Sequence, residues 1–226
     1  MTTVQALGDS FSCGEGVGVR VPLPETWTGL LARSMGFEHV SLAVPGARTG
    51  DVASCQLPRV RPAAVSTLLV GLNDVARTGF DAVRVRADLA RCVEALAGCS
   101  DRVLLGRLQD PSRMLWLPVP LRRLVRSRVD LVNAAVDALG ELPDVAVLDL
   151  DAIVELREPG AWAVDRVHPS PAGHAALAVE AAALLEETLP AVPVPRAPGP
   201  LARARWSARH GAPYLTGQLL KAVLPA

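Results

Sequence analysis

Val4–Gln5–Ala6–Leu7–Gly8–Asp9–Ser10 opens the chain: an apolar run that stops on a glycine, an acid and a serine. Similar β-like runs recur at His39–Val44, Val65–Gly71, Arg102–Gly106 and Val145–Leu150. Between them lie stretches with helical spacing. In Glu25–Gly36 the apolar positions Trp27, Leu30, Leu31 and Met35 share a face, and Gly36 can end the helix. Asp81 can cap a second helix whose buried face is Val85, Leu89, Val93 and Leu96, ended by Gly98. A third helix is expected over roughly Val125–Leu139. A fourth is expected over Ala172–Leu185, started by Ser170 and Pro171. Strand–helix alternation of this kind predicts a parallel sheet with helices on both faces. Such sheets bind ligands at the carboxyl ends of their strands. Gly8–Asp9–Ser10 follows the first strand, Pro45–Gly46 the second and Asn73–Asp74 the third, so three polar motifs converge on one edge.

The 226 residues suit one domain, or one domain with an appendage, and half of them are apolar. A chain of this size buries a core without staples. The formal net charge is zero, which gives no global attraction to nucleic acid. The four cysteines, Cys13, Cys55, Cys92 and Cys99, have no zinc spacing and are expected to be reduced and mostly buried. No metal or cofactor is called for. The start, MTTVQALGDS, lacks a basic region and an apolar core, and no apolar run approaches the ~20 residues that span a bilayer. A soluble, cytoplasmic protein is therefore expected. After Pro190, prolines recur at 193, 195, 198 and 200, and the tail holds no acid. The expected division is a domain over 1–190, then a proline-rich linker and basic extension over 191–226.

Common nucleotide and metal motifs fail. A phosphate loop starting at Gly8 would need glycine at Cys13 and a lysine after it. Gly14–Glu15–Gly16–Val17–Gly18 lacks the third glycine of a dinucleotide fingerprint. Gly8-x-Ser10 meets Ser12 where a GxSxG elbow needs glycine. What remains is a nucleophile set. Ser10 stands at a strand end, and a serine hydroxyl needs a base to take its proton. Of the four histidines, His168 is best placed for this. Asp165, three residues earlier, can reach its far ring nitrogen, fix the tautomer and stabilise the imidazolium. Pro169 holds His168 out of helix.

Together these residues resemble the SGNH/GDSL hydrolase family. Gly8–Asp9–Ser10 is similar to its first block, with Phe11 in place of leucine on a side chain expected to be buried. Pro45–Gly46 resembles the glycine block, Gly71–Leu72–Asn73–Asp74 the GxND block, and Asp165-x-x-His168 the terminal DxxH block. All four stand in family order over residues 8–168. The resemblance implies a three-layer α/β/α flavodoxin-like fold with a central parallel sheet of about five strands. It also implies hydrolysis of an acyl ester by Ser10, His168 and Asp165, with an oxyanion hole from the Ser10 and Gly46 N–H groups and the Asn73 side chain. The residue types agree. A developing oxyanion needs donors fixed in advance, Gly46 can be approached closely, and Asn73 offers a neutral NH2.

The substrate is expected to be a short-chain or acetyl ester of a small metabolite or sugar. An acyltransferase or thioesterase using the same site, or a non-catalytic binding protein that kept the pocket, stays open. Asp110–Arg128, with Trp116 and Leu117, reads either as a lid or acyl wall or as an ordinary connection. Asp9 and Asp74 are expected to brace their turns. His174 is expected on the surface of the last helix. The basic tail, with Trp206, Tyr214 and Lys221, is expected to dock on its own domain or on an anionic surface.

Overall fold

The computed structural model describes residues 2–16, 18–113, 115 and 117–211. Five parallel strands form its centre: β1 (Thr3–Gly8), β2 (Glu38–Ser41), β3 (Ala63–Leu69), β4 (Ser100–Arg107) and β5 (Val145–Asp149). Their spatial order is β2-β1-β3-β4-β5, all pairs parallel. The flavodoxin-like expectation is met. The chain runs from β1 outward to β2, then returns to β3 on the other side of β1. The crevice between the carboxyl ends of β1 and β3 is thus the switch point where doubly wound sheets bind ligands.

Both faces of the sheet are covered, so its strands are apolar runs rather than alternating patterns. Leu7, Leu68 and Leu105 pair in one row across β1, β3 and β4, and each is fully buried. On one side lie α2 (Trp27–Ser34), against β1 and β2, and the last helix of the sheet domain (Pro171–Ala183), against α2. On the other lie α3 (Ala82–Ala97) and α4 (Val119–Leu139), packed on each other and on β4. A one-turn helix, α1 (Ser10–Cys13), follows β1 directly. We number the Pro171–Ala183 helix α5.

Three expectations are corrected here. The third predicted helix begins at Val119 instead of Val125, because Pro118 caps it and Pro120 sits in its first turn. Proline lacks only an N–H that is unpaired at those positions anyway, so two apparent breakers mark a start. His174 is not at the surface: it is 1% exposed, and its Nδ1 accepts the Trp27 N–H at 3.2 Å, tying α5 to the start of α2. Of the cysteines, Cys13 and Cys92 are buried as expected and Cys99 is half-buried, but Cys55 is exposed. No helix among the described residues is long and apolar enough to cross a membrane.

The extension runs without regular structure to Gly199 and then forms α6 (Pro200–Trp206). Val194 packs against the core of the sheet domain, and the extension also comes close to two of its glycines. A Cβ on Gly160 would lie 1.6 Å from the Pro195 carbonyl oxygen, and one on Gly18 would lie 2.6 Å from the His210 ring. Tyr214 and Lys221 lie outside the described residues.

Candidate active site

The site is built from the carboxyl end of β1 outward. Gly8 adopts φ +135°, and a Cβ there would stand 2.1 Å from the Leu69 carbonyl oxygen, so no other residue fits. The Gln56 side chain grips this glycine from both sides: its Oε1 accepts the Gly8 N–H at 2.9 Å and its Nε2 donates to the Gly8 carbonyl at 2.8 Å. Asp9 then caps α1, its Oδ1 accepting the Phe11 N–H at 3.0 Å. Ser10 therefore starts a short helix on a fixed backbone, and its own N–H donates to no group among the described residues.

The base comes from the other end of the chain. One oxygen of Asp165 accepts the Val167 and His168 N–H groups, both at 3.0 Å. That fold-back puts Arg166 in the left-handed region at φ +62° and leaves the other carboxylate oxygen 2.5 Å from His168 Nδ1. His168 Nε2 lies 2.9 Å from Ser10 Oγ. Asp165 is buried, which alone would raise its pKa. The hydrogen bond and charge of His168 and the two backbone N–H groups outweigh burial and hold it below the usual carboxylate value. The Ala163 N–H on the His168 carbonyl at 2.8 Å closes this loop. Phe11, buried as expected, packs against both the His168 and Trp162 rings at centroid distances of 6.2 Å.

Gly46 occupies the second central position of a turn closed by the Ala47 N–H on the Val44 carbonyl at 3.1 Å, with φ +76°. Proline followed by glycine at left-handed φ is the pattern of a type II turn, and the Gly46 N–H has no acceptor among the described residues. Asn73 stitches the motifs together: its Nδ2 donates to Asp9 Oδ2 at 2.9 Å and to the Ala47 carbonyl at 3.1 Å. Both amide hydrogens are thus engaged. Asp74 braces the glycine loop, its carboxylate accepting the Thr49 N–H and hydroxyl, each at 3.0 Å. Asp9 is fully buried, which lifts its pKa to about 6 against the lowering effect of the Phe11 N–H, His168 and Asn73.

A narrow apolar cleft, partly open to solvent, lies beside Ser10 and His168. Its walls include Phe11, Leu69, Leu72, Leu108, Leu150 and Trp162, with Val167 beside His168. Leu117 is half-buried and is not among the described residues that line it; Trp116 lies outside the described residues. Sequence reasoning missed Gln56 and the cleft walls. Only the position of Leu108 after a strand and of Val167 inside DxxH gave any signal.

The match to known proteins agrees with this geometry. A family model of the GDSL-like lipase/acylhydrolase family fits residues 6–176. This chain belongs to that family. It is accordingly a hydrolase acting on ester bonds. No curated protein matches the chain. Among solved structures, a lipase from goat rumen metagenome is 21% identical, with 81% of this chain and 97% of that one covered at a TM-score of 0.65. The psychrotrophic esterase EstA from a Pseudoalteromonas species is 15% identical over 82% and 97% of the two chains, TM-score 0.62. The acetyl xylan esterase Axe2 of Geobacillus stearothermophilus, as a tryptophan-to-isoleucine variant, is 17% identical over 84% and 96%, TM-score 0.57. At these identities the likeness is one of fold.

Proposed function

We propose that this GDSL-family enzyme cleaves a small acyl ester through an acyl-Ser10 intermediate. The observation that carries the reading is the continuous contact Ser10 Oγ–His168 Nε2 at 2.9 Å and His168 Nδ1–Asp165 Oδ2 at 2.5 Å. His168 takes the Ser10 proton as Oγ attacks the ester carbonyl, and Asp165 holds the ring and offsets its charge. The oxyanion is received by the Ser10 and Gly46 N–H groups and by Asn73. Because both Asn73 hydrogens are engaged, the longer bond to the Ala47 carbonyl is the one shared with the oxyanion. His168 returns its proton to the leaving alcohol. Water, activated by the same ring, then releases the acid and frees Ser10. The acyl group enters the apolar cleft, whose walls begin at Asp9 and Phe11 on either side of Ser10. A short acyl chain suits it, as in the acetyl esters named for Axe2.

The test is intact-protein mass after exposure to a fluorophosphonate. EstA was solved inhibited by monoethylphosphonate. One adduct on wild type, none on Ser10→Ala and a much slowed one on His168→Ala supports the reading. No adduct on a folded wild type favours a binding protein that kept the pocket. We further read the extension over residues 191–211 as docked on this domain, on the strength of the Gly18–His210 approach; the rest of the basic tail lies outside the described residues. Salt-sensitive flotation with anionic vesicles that requires residues 200–226 would reverse that reading.

A further inference from the structure

Among the described residues, the cleft beside Ser10 is lined by three polar side chains, Asp9, Arg166 and Gln109. Asp9 braces Asn73, Arg166 donates to the Pro159 carbonyl, and Gln109 is used by none of the chemistry above. Gln109 is 8% exposed, and no group among the described residues donates to its buried Oε1. Nearly all buried polar groups find a partner, and the exceptions call for a reason. This one is held in place from behind. The preceding residue, Leu108, is gripped by Asn133 of α4: Oδ1 accepts its N–H and Nδ2 donates to its carbonyl, both at 2.9 Å. An acceptor has thus been placed, on a fixed backbone, in a wall that is otherwise mostly apolar.

We propose that Gln109 determines specificity by accepting a hydrogen bond from a hydroxyl on the acyl group, so that the substrates are hydroxyacyl esters. This rests on the reading of the cleft as the acyl site of an acyl-Ser10 enzyme. A hydroxyl is the group that fits. It both donates and accepts, so it satisfies the amide in either orientation. A carboxylate brings only acceptors and leaves Oε1 unpaired, whichever of Asp9 and Arg166 it lies nearer. A plain alkyl chain fills the apolar walls but leaves Oε1 as it stands, unpaired. Sites built to bond a substrate hydroxyl discriminate against analogues lacking it far more strongly than apolar pockets discriminate by size.

The experiment compares kcat/KM for p-nitrophenyl 2-hydroxybutyrate and 3-hydroxybutyrate with that for p-nitrophenyl butyrate. It uses wild type, Gln109→Leu and the less disruptive Gln109→Met. Fluorophosphonate labelling of Ser10 in each preparation reports an intact triad. Wild type is expected to favour one hydroxyacyl ester over butyrate by about tenfold or more, and both variants to lose that preference and gain on butyrate. A wild-type ratio near one overturns the proposal. So does a preference that survives both substitutions, since water or another side chain then serves the hydroxyl. In either case, labelled Ser10 and butyrate hydrolysis leave the esterase reading standing. A wild type that neither labels nor hydrolyses any of the three esters overturns both.

Discussion

An added methyl at Gly16 would sit 2.4 Å from His168 Nδ1. The small hairpin of Glu15–Gly16 and Val19–Arg20 can therefore lie against the His168 ring only because residue 16 has no side chain. Asp165 and Ser10 hold that ring at both ends, so it has nowhere to retreat. Gly16→Ala is expected to keep the fold and slow fluorophosphonate labelling of Ser10 by at least about tenfold, the size of effect that small misplacements of reacting groups produce. Asp9 acts on the proposed oxyanion donor in a comparable way. Asp9→Asn would face the Asn73 amide with another NH2 and turn it away, and kcat should fall by about 10- to 100-fold, short of or equal to the loss of one oxyanion donor. The sign of its pH dependence follows from a pKa of about 6: as pH drops through that value Asp9 gains a proton and loosens its hold on Asn73. The share of the acid-side fall in kcat that belongs to Asp9 should be missing from the pH profile of Asp9→Asn.

At the level of elements, two side-chain amides do what a longer ladder would do. Gln56 clamps Gly8 at the end of β1, and Asn133 clamps Leu108 just past β4. Asn133→Leu strands a buried N–H and a buried carbonyl, which is expected to cost about 2–4 kcal/mol of unfolding free energy in urea titrations. These clamps also mark the limit of legibility. The strands were readable because each apolar run stops on a polar motif, and the triad because Ser10, Asp165 and His168 carry unusual residue types in a telling order. Gln56 and Asn133 grip residues 48 and 25 positions away, and an amide in a helical stretch looks like any solvated one until the fold brings its partner near. Pro118 and Pro120 misled for another reason: proline is punctuation whose meaning depends on which side of it the helix lies.

Across the whole molecule, two buried titratable groups pull stability in opposite directions. Burial, helped by the nearby charge of His168, lowers His174 from 6.5 to about 4. As pH falls from 6.5 to 4, the unfolded chain takes up a proton that the fold refuses, and stability drops by about 3 kcal/mol from this group alone. Asp9, raised from 3.8 to about 6, does the reverse: the unfolded chain loses a proton that the fold keeps, so stability rises as pH falls from 6 to 4. His174→Gln should therefore show a shallower loss of stability between pH 7 and pH 4 than wild type, and Asp9→Asn a steeper one, both read from denaturant midpoints. The sequence could not show this, because α5 is rich in alanine and nothing marks which of its faces meets α2.

The two amide clamps carry one more implication. Strand termini are where deuterium normally enters a sheet first, since the last N–H groups fray into water. Here the Gly8 and Leu108 N–H groups are each shielded by a side chain from another segment of the chain. The edge that bears Ser10 should accordingly be among the last parts of this protein to exchange its hydrogens. Rigidity of this kind would keep the proposed nucleophile and the cleft beside it in register from one reaction cycle to the next.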